Sequence, residues 1–309
     1  MDNQSPKINL TNFGYVNIND SKFMPLLVRH VIAPPIKCQG IKTKSVNFIA
    51  SSIKWKGDGR WVEPFLGSGA VLFNIAPKRA LASDINGYII DFYKSIQEHK
   101  IDCKMVRDFL EEEGKKLEDK DAEFYYQVRD RFNKNHDPLD LLFLSRACFN
   151  GVMRFNGKGE FNTPYNHKRY RFAPAYITKI INQVKFVSHV IDGKDWEFKK
   201  GDWRETLKQI SGDDFVYADP PYYGRHTDYY GTWTDYEDEE LARVLEGFEG
   251  GFALSSWKEN EFRKNEQLDL HWHKFSIKMK NHFYHVGSVE DYRHPVTEVL
   301  VIKPGFQVD

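Results

Sequence analysis

The chain has 309 residues, with 44 basic side chains balanced by 44 acidic ones, and is 41% hydrophobic and 15% aromatic. That length holds one large domain or a core with an inserted lobe. No apolar run is long enough to span a membrane, the first 24 residues lack the apolar middle of a signal peptide, and the widely spaced Cys38, Cys103 and Cys148 argue against a disulfide framework or zinc site and fit a reducing cytoplasm.

Along the chain, residues 21–57 contain no acid but carry Lys22, Arg29, Lys37, Lys42, Lys44, Lys54 and Lys56. Trp61–Glu63 and Arg79–Ser83 then read as short strands, with Ala70–Ile75 opening a helix between them. The connecting loop, Glu63-Pro64-Phe65-Leu66-Gly67-Ser68-Gly69-Ala70, permits positive φ and close approach of a ligand to the backbone. It lacks the G-x-G-x-x-G spacing that seats a pyrophosphate, and Glu63 sets a negative charge beside it, which disfavours a nicotinamide dinucleotide. Asp84 closes the second strand, where an acid holds ribose hydroxyls in dinucleotide-binding folds. A ligand with a ribose, no phosphates and a cationic or amino group fits better, and S-adenosylmethionine is such a ligand.

Asn86–His99 reads as a helix, with Ile89, Ile90, Tyr93 and Ile96 at helical spacing. Residues 104–147 read as predominantly helical, with an apolar run at Leu139–Leu144. The stretch 150–166 (NGVMRFNGKGEFNTPYN) has the turn chemistry of a hairpin or irregular loop. From Leu141 to Ile191 the only acid is Glu160, set against Arg146, Arg154, Lys158, Lys168, Arg169, Arg171, Lys179 and Lys185. Two such basic stretches on a neutral chain bind a polyanion locally, and more weakly as salt rises. Strand signals return at 215–217, 251–255 and 296–302. The pattern predicts one α/β domain interrupted by a mostly helical lobe, with residues 1–24 as a tail, 25–95 and 196–309 as the core, and 96–195 as the lobe.

The hexapeptide Ala-Asp-Pro-Pro-Tyr-Tyr at 218–223 follows the strand 215–217. Its two prolines end the strand and bar a direct run into a helix. The resulting rigid loop presents a carboxylate, a main-chain carbonyl outside any ladder and an aromatic face. Those groups suit a planar ring with an amino group: Asp219 and the Pro220 carbonyl accept its two N–H bonds while Tyr222 stacks on the ring. A plain surface turn is the other reading of the loop taken alone. Trp257 is open to two places, a wall of the base pocket or the core.

These segments together resemble the N6-adenine DNA methyltransferases of the Dam-related D12 class. The resemblance is carried by PPIKCQGIKTK (34–44), EPFLGSGAVLFNIAPKRALASD (63–84), RACFNGVMRFNGKGEFNTPYN (146–166), GDW (201–203), ADPPYYGRHTDYY (218–230), HFYHVG (282–287) and PVTEVL (295–300). Several of them are most similar to modification enzymes of the EcoRV type, which implies a GATATC site methylated on its first adenine; the wider family implies GATC as the runner-up. The family implies a Rossmann-like α/β methyltransferase core, with 96–195 as the target-recognition domain, acting as a monomer on double-stranded DNA and taking S-adenosylmethionine as methyl donor. It also implies a modification role beside a separate restriction endonuclease.

Residue by residue, the resemblance places Cys38 and Lys42 in the N-terminal cofactor motif, with Cys38 standing where the family pattern has tryptophan. Glu63 falls among the cofactor-binding residues, Phe65, Gly67 and Gly69 would line the methionine end of the cofactor, Asp84 would hold its ribose, and Asp202 and Trp203 would flank its adenine. Asp219, Pro220, Pro221 and Tyr222 would form the catalytic loop, with Asp219 also beside the cofactor. Lys37, Asn150, Arg154, Pro164 and Lys168 fall where the family contacts DNA, with Lys37 as a reader of the guanine beside the target adenine. Arg225 and His226, in the segment GRHTDYY, belong to a stretch suited to ordering over DNA. For any one basic residue a phosphate contact is favoured over base readout. N4-methylation of cytosine, methylation of RNA or of a protein amide, and a catalytically silent DNA-binding protein stand as alternatives.

Overall fold

The computed structural model describes residues 23–24, 28, 30–222, 233–259, 264–283 and 295–308. Seven strands form a single sheet: β1 (Trp61–Glu63), β2 (Arg79–Asp84), β3 (Asp195–Lys200), β4 (Phe215–Ala218), β5 (Gly251–Glu259), β6 (Ser276–Phe283) and β7 (Pro295–Ile302). Their order is β3-β2-β1-β4-β5-β7-β6. The strands β1 to β5 pair in parallel, and β7 runs antiparallel between β5 and β6. This is a Rossmann-like methyltransferase sheet. Its chain order reverses between β1 and β4, and that crevice, at the carboxyl ends of the strands, is where open α/β sheets bind ligands.

Strand alternation divides the core. Trp61, Ala80, Ala82, Phe215, Tyr217, Leu300 and Ile302 face one side, where the larger core lies. Their neighbours Val62, Leu81, Val216, Ala218, Val299 and Val301 face the other. The first side is covered by α1 (Val46–Ser52), α2 (Ala70–Ile75), α3 (Gly87–Gln97) and the helices that intervene between β2 and β3: α4 (Cys103–Lys120), α5 (Ala122–Asn135), α6 (Pro138–Ala147) and α7 (Pro174–Ile191). The second side is covered by α8 (Trp203–Leu207) and α9 (Asp235–Gly247). In α7, Ile177, Ile180, Ile181, Val184, Val187 and Ile191 repeat at three and four residues and bury one face. Among the described residues no helix is long and apolar enough to cross a membrane.

Two strands lack an obvious signal in the sequence. Strand β3 (DWEFKK) buries only Trp196 and Phe198 between exposed or half-exposed neighbours, as an edge strand does. Strand β6, at the opposite edge, leaves Met279 exposed and carries Lys278 and Lys280. Between α6 and α7 the chain is irregular, with isolated bridges Cys148–Tyr165 and Phe155–Phe161 closing a loop of hairpin character.

The intervening helices are tied together by a charged cluster. Arg131 on α5 donates from Nε to Asp140 Oδ2 at 2.8 Å and from Nη2 to Glu113 Oε2 at 2.6 Å. Both carboxylates are buried, and Lys116 adds a bond to Glu113 at 2.8 Å. Removing the guanidinium strands buried negative charge. Arg131→Met is therefore expected to destabilise the protein by about 3 kcal/mol, seen as a lower urea midpoint at unchanged slope.

Candidate active site

Loops following β1, β2, β3 and β4, together with the segment 33–44, enclose a cavity of about 960 Å³. Its floor is the loop after β1. Gly67 and Gly69 there take φ of +51° and +72°, a region that favours glycine. The Gly67 N–H donates to Asp84 Oδ2 at 2.7 Å and the Asn86 N–H donates to Asp84 Oδ1 at 2.8 Å. Asn86 in turn caps α3, its side chain accepting from the Tyr88 N–H. Burial pushes the Asp84 carboxyl up, and the two N–H bonds pull it back. Gly69 stands outside the cavity wall; it caps α2 against Phe73, where a Cβ would lie 2.3 Å from a ring carbon.

After β3, Asp202 caps α8 by accepting the Arg204 N–H at 2.9 Å, and the buried Trp203 follows it into the wall. Phe65 reaches across from the first loop to within 6.4 Å of the Trp203 ring. The indole N–H of Trp203 is buried with no acceptor among the described residues. Cys38 also lines the cavity, its thiol pushed up by burial.

After β4 comes Asp219, whose side chain is 20% exposed. Lys42 Nζ lies 2.9 Å from Asp219 Oδ2 and 4.9 Å from the centre of the Tyr222 ring. Asp219 Oδ1 is buried with no hydrogen-bond partner among the described residues. Burial pushes the Asp219 carboxyl up, Lys42 pulls it down, and Glu298 adds a further upward push. Pro220, Pro221 and Tyr222 share the wall, and Tyr217 below them hydrogen-bonds Ser255 at 2.8 Å.

The structure thus brings together, on one cavity, Cys38, Lys42, Glu63, Phe65, Gly67, Asp84, Asp202, Trp203 and the loop 219–222. Lys37 and Asn150 line it as well. Arg154, Pro164 and Lys168 do not; they sit with Asn150 on the irregular loop after α6, all exposed. Trp257 is buried and stands outside the wall. Arg225 and His226 lie outside the described residues. Reading motifs missed Arg146, Arg171, Lys179 and Gln183, which also line the cavity. The acid-poor stretch 141–191 holds all four, three of them basic, but charge spacing along a chain does not show which bases converge.

Glu63 ends β1 beneath the site, 2% exposed, and accepts the Trp61 indole N–H at 2.8 Å. Burial raises its carboxyl from 4.5 to about 8, the Trp61 bond opposing and Asp219 adding a further rise. In the unfolded chain the group ionises near its ordinary value, so the folded state holds its proton longer. Its stabilising contribution is present below 4.5 and is lost as pH rises to about 8. Glu63→Gln removes this loss. The variant's stability relative to the parent is expected to grow from pH 5 to pH 8 by on the order of a few kcal/mol and then to level off, measured by urea unfolding across that range.

A family model described as D12 class N6 adenine-specific DNA methyltransferase matches residues 39–286. The type II methyltransferase M.MjaIII of Methanocaldococcus jannaschii is 32% identical over 234 residues, covering 69% of this chain and 78% of its own. The type II methyltransferase M1.LlaDCHI of Lactococcus lactis subsp. cremoris is 26% identical over 261 residues, 79% of this chain and 86% of its own. The DNA adenine methylase of Escherichia coli K12 is 29% identical over 199 residues, 60% of this chain and 66% of its own. The matched span runs through the Gly67 loop, Asp84 and the 219–222 loop, and the chain belongs to the D12 class of N6 adenine-specific DNA methyltransferases.

Proposed function

We propose that this enzyme transfers a methyl group from S-adenosylmethionine to N6 of an adenine flipped out of duplex DNA, at GATATC, with GATC as the runner-up site. The observation that carries the reading is one cavity walled by both the Gly67–Asp84 turn and the Asp219-Pro220-Pro221-Tyr222 loop. Two of these relatives bear the name type II methyltransferase, which supports a modification role; we propose in addition that the enzyme acts as a monomer beside a separate cognate nuclease. We assign target recognition to residues 96–195 and the exposed loop carrying Asn150, Arg154, Pro164 and Lys168, with Lys37 reading the neighbouring guanine.

The residues present fit the cofactor. Asp84, Asp202 and Asp219 give the cavity an acidic wall suited to a cationic ligand, Phe65 and Trp203 give it aromatic surface, and the Trp203 N–H has no acceptor among the described residues. When bound, the cofactor supplies a methyl group on a positively charged sulfur. Asp84 would hold ribose hydroxyls, and the glycine loop admits the methionine portion close to the backbone.

Asp219 Oδ1 and the Pro220 carbonyl would accept the two N–H bonds of the adenine amine. That favours a pyramidal nitrogen and frees a lone pair otherwise delocalised into the ring. Tyr222 stacking, worth on the order of 1–3 kcal/mol, offsets much of the energy of extruding the base. Catalysis on this reading is positioning and electrostatics, with no covalent enzyme intermediate.

The test uses methyl-labelled S-adenosylmethionine, unmethylated plasmid and digestion to nucleosides. N6-methyladenine is expected from the parent, and Asp219→Ala is expected to lower its formation by roughly 10²-fold or more. N4-methylcytosine in place of N6-methyladenine, or full activity in the variant, overturns the assignment.

A further inference from the structure

The cavity has two walls of opposite charge. The acids Asp84, Asp202 and Asp219 stand at the strand ends, while Lys37, Arg146, Arg171 and Lys179 stand on the side formed by the 33–44 segment, α6, α7 and the chain between those helices. No carboxylate forms an ion pair with any of these four bases among the described residues. Arg146 is only 6% exposed. Its guanidinium donates to two neutral acceptors, the Pro35 carbonyl and Gln183 Oε1, and its buried Nε has no partner among the described residues. Arg171 Nε donates to the Arg146 carbonyl at 2.7 Å, which sets the two side by side. The cluster opens outward: Arg146 is buried, Arg171 half-buried and Lys179 exposed.

We propose that Arg146, Arg171 and Lys179, beside Lys37, form a seat for one phosphodiester group of the DNA strand whose base enters the cavity. Burying cations without a counterion is unfavourable, and an anion placed among them relieves it. The strain registers on the bases themselves. Burial first, then Arg171, lowers Arg146 to about 10; burial, then Arg171, Arg146 and Lys179, lower Lys37 to about 8, with Cys148 opposing. A cofactor carboxylate is the poorer occupant, because four cations repel the sulfonium and ammonium that travel with it, whereas the acidic wall attracts them. A polyanion brings no such cation, and the exposed Lys179 end is accessible to a macromolecule. Bidentate guanidinium geometry also matches phosphate oxygens.

The inference rests on the DNA methylation proposed above, and its test separates the two. The probes are a duplex fragment that the parent methylates, titrated by fluorescence anisotropy at several salt concentrations, and S-adenosylmethionine alone, titrated by calorimetry. For Lys179→Gln and Arg171→Gln the slope of log affinity for DNA against log salt is expected to shallow, by up to about 0.9 for the one phosphate they share, with cofactor affinity held within about twofold. Arg171→Lys, which keeps the charge, is expected to retain the parent slope. Retained cofactor binding also shows that the variants are folded. If the parent binds DNA normally but both Gln variants keep its slope, the seat is refuted and the methylation reading survives. If cofactor affinity falls while the slope is unchanged, the cluster serves the cofactor carboxylate and the proposal fails. A parent that neither binds nor methylates DNA overturns both.

Discussion

The site depends first on the carboxylate of Asp84. Its two oxygens accept the Gly67 N–H and the Asn86 N–H, and its own carbonyl accepts the Gly201 N–H at 3.1 Å. One residue at the end of β2 thereby ties the turns that follow β1, β2 and β3. Gly67 takes a positive φ in the same turn, a conformation that favours glycine. These bonds hold in place the floor of the crevice where the sheet order reverses, before any ligand arrives. Preorganisation of this kind removes reorganisation from the reaction itself.

Asp219 sets the second constraint. An acid at the end of β4, pushed toward its neutral form by burial, is pulled back toward its anion by the ammonium of Lys42. That ammonium sits on Oδ2 and over the Tyr222 ring, so it presents positively polarised N–H groups to the carboxylate and the aromatic face. An aromatic amine makes demands of the same two groups. A base stacking on that face of Tyr222 displaces the ammonium from the ring, while Oδ1 offers the acceptor the amine needs. On the function proposed above, the amine would take the open Oδ1 while Lys42 holds Oδ2, so that both oxygens of the carboxylate are met.

Much of this was legible because short stretches of chain carry it. The strands read at 61–63 and 79–83, the helix opened at 70–75 and the helix read at 86–99 are local patterns, and the structure has strands Trp61–Glu63 and Arg79–Asp84 and helices Ala70–Ile75 and Gly87–Gln97, the last capped by Asn86. The double proline after Ala218 fixed a loop on local sterics alone. Strands β3 and β6 escaped notice because edge strands bury few side chains; Trp196 and Phe198 are separated by a charged residue and flanked by others. Gly69 illustrates a different limit. Its place in a glycine loop suggests a ligand contact, yet packing against Phe73 and a left-handed backbone account for it. The pairings that matter most, Lys42 with Asp219 and Arg171 with Arg146, join residues far apart in the chain, and no local pattern specifies them.

Formal neutrality hides how the charges are arranged. Lys37 comes from the acid-free stretch 21–57, and Arg146, Arg171 and Lys179 come from the stretch whose only acid is Glu160. Folding α6 and α7 against the segment 33–44 converges these distant bases on one wall, while the parallel strands deliver Asp84, Asp202 and Asp219 to the facing wall. A neutral chain gains no long-range pull on a polyanion, since distant fields of opposite sign cancel. At close range the walls do not cancel, because each is nearer to its own ligand and sits in a partly desolvated cavity where charges are weakly screened. On the function proposed above, selectivity between a cationic cofactor and an anionic strand would therefore arise inside a single cavity, from the separation of its charges and not from their sum.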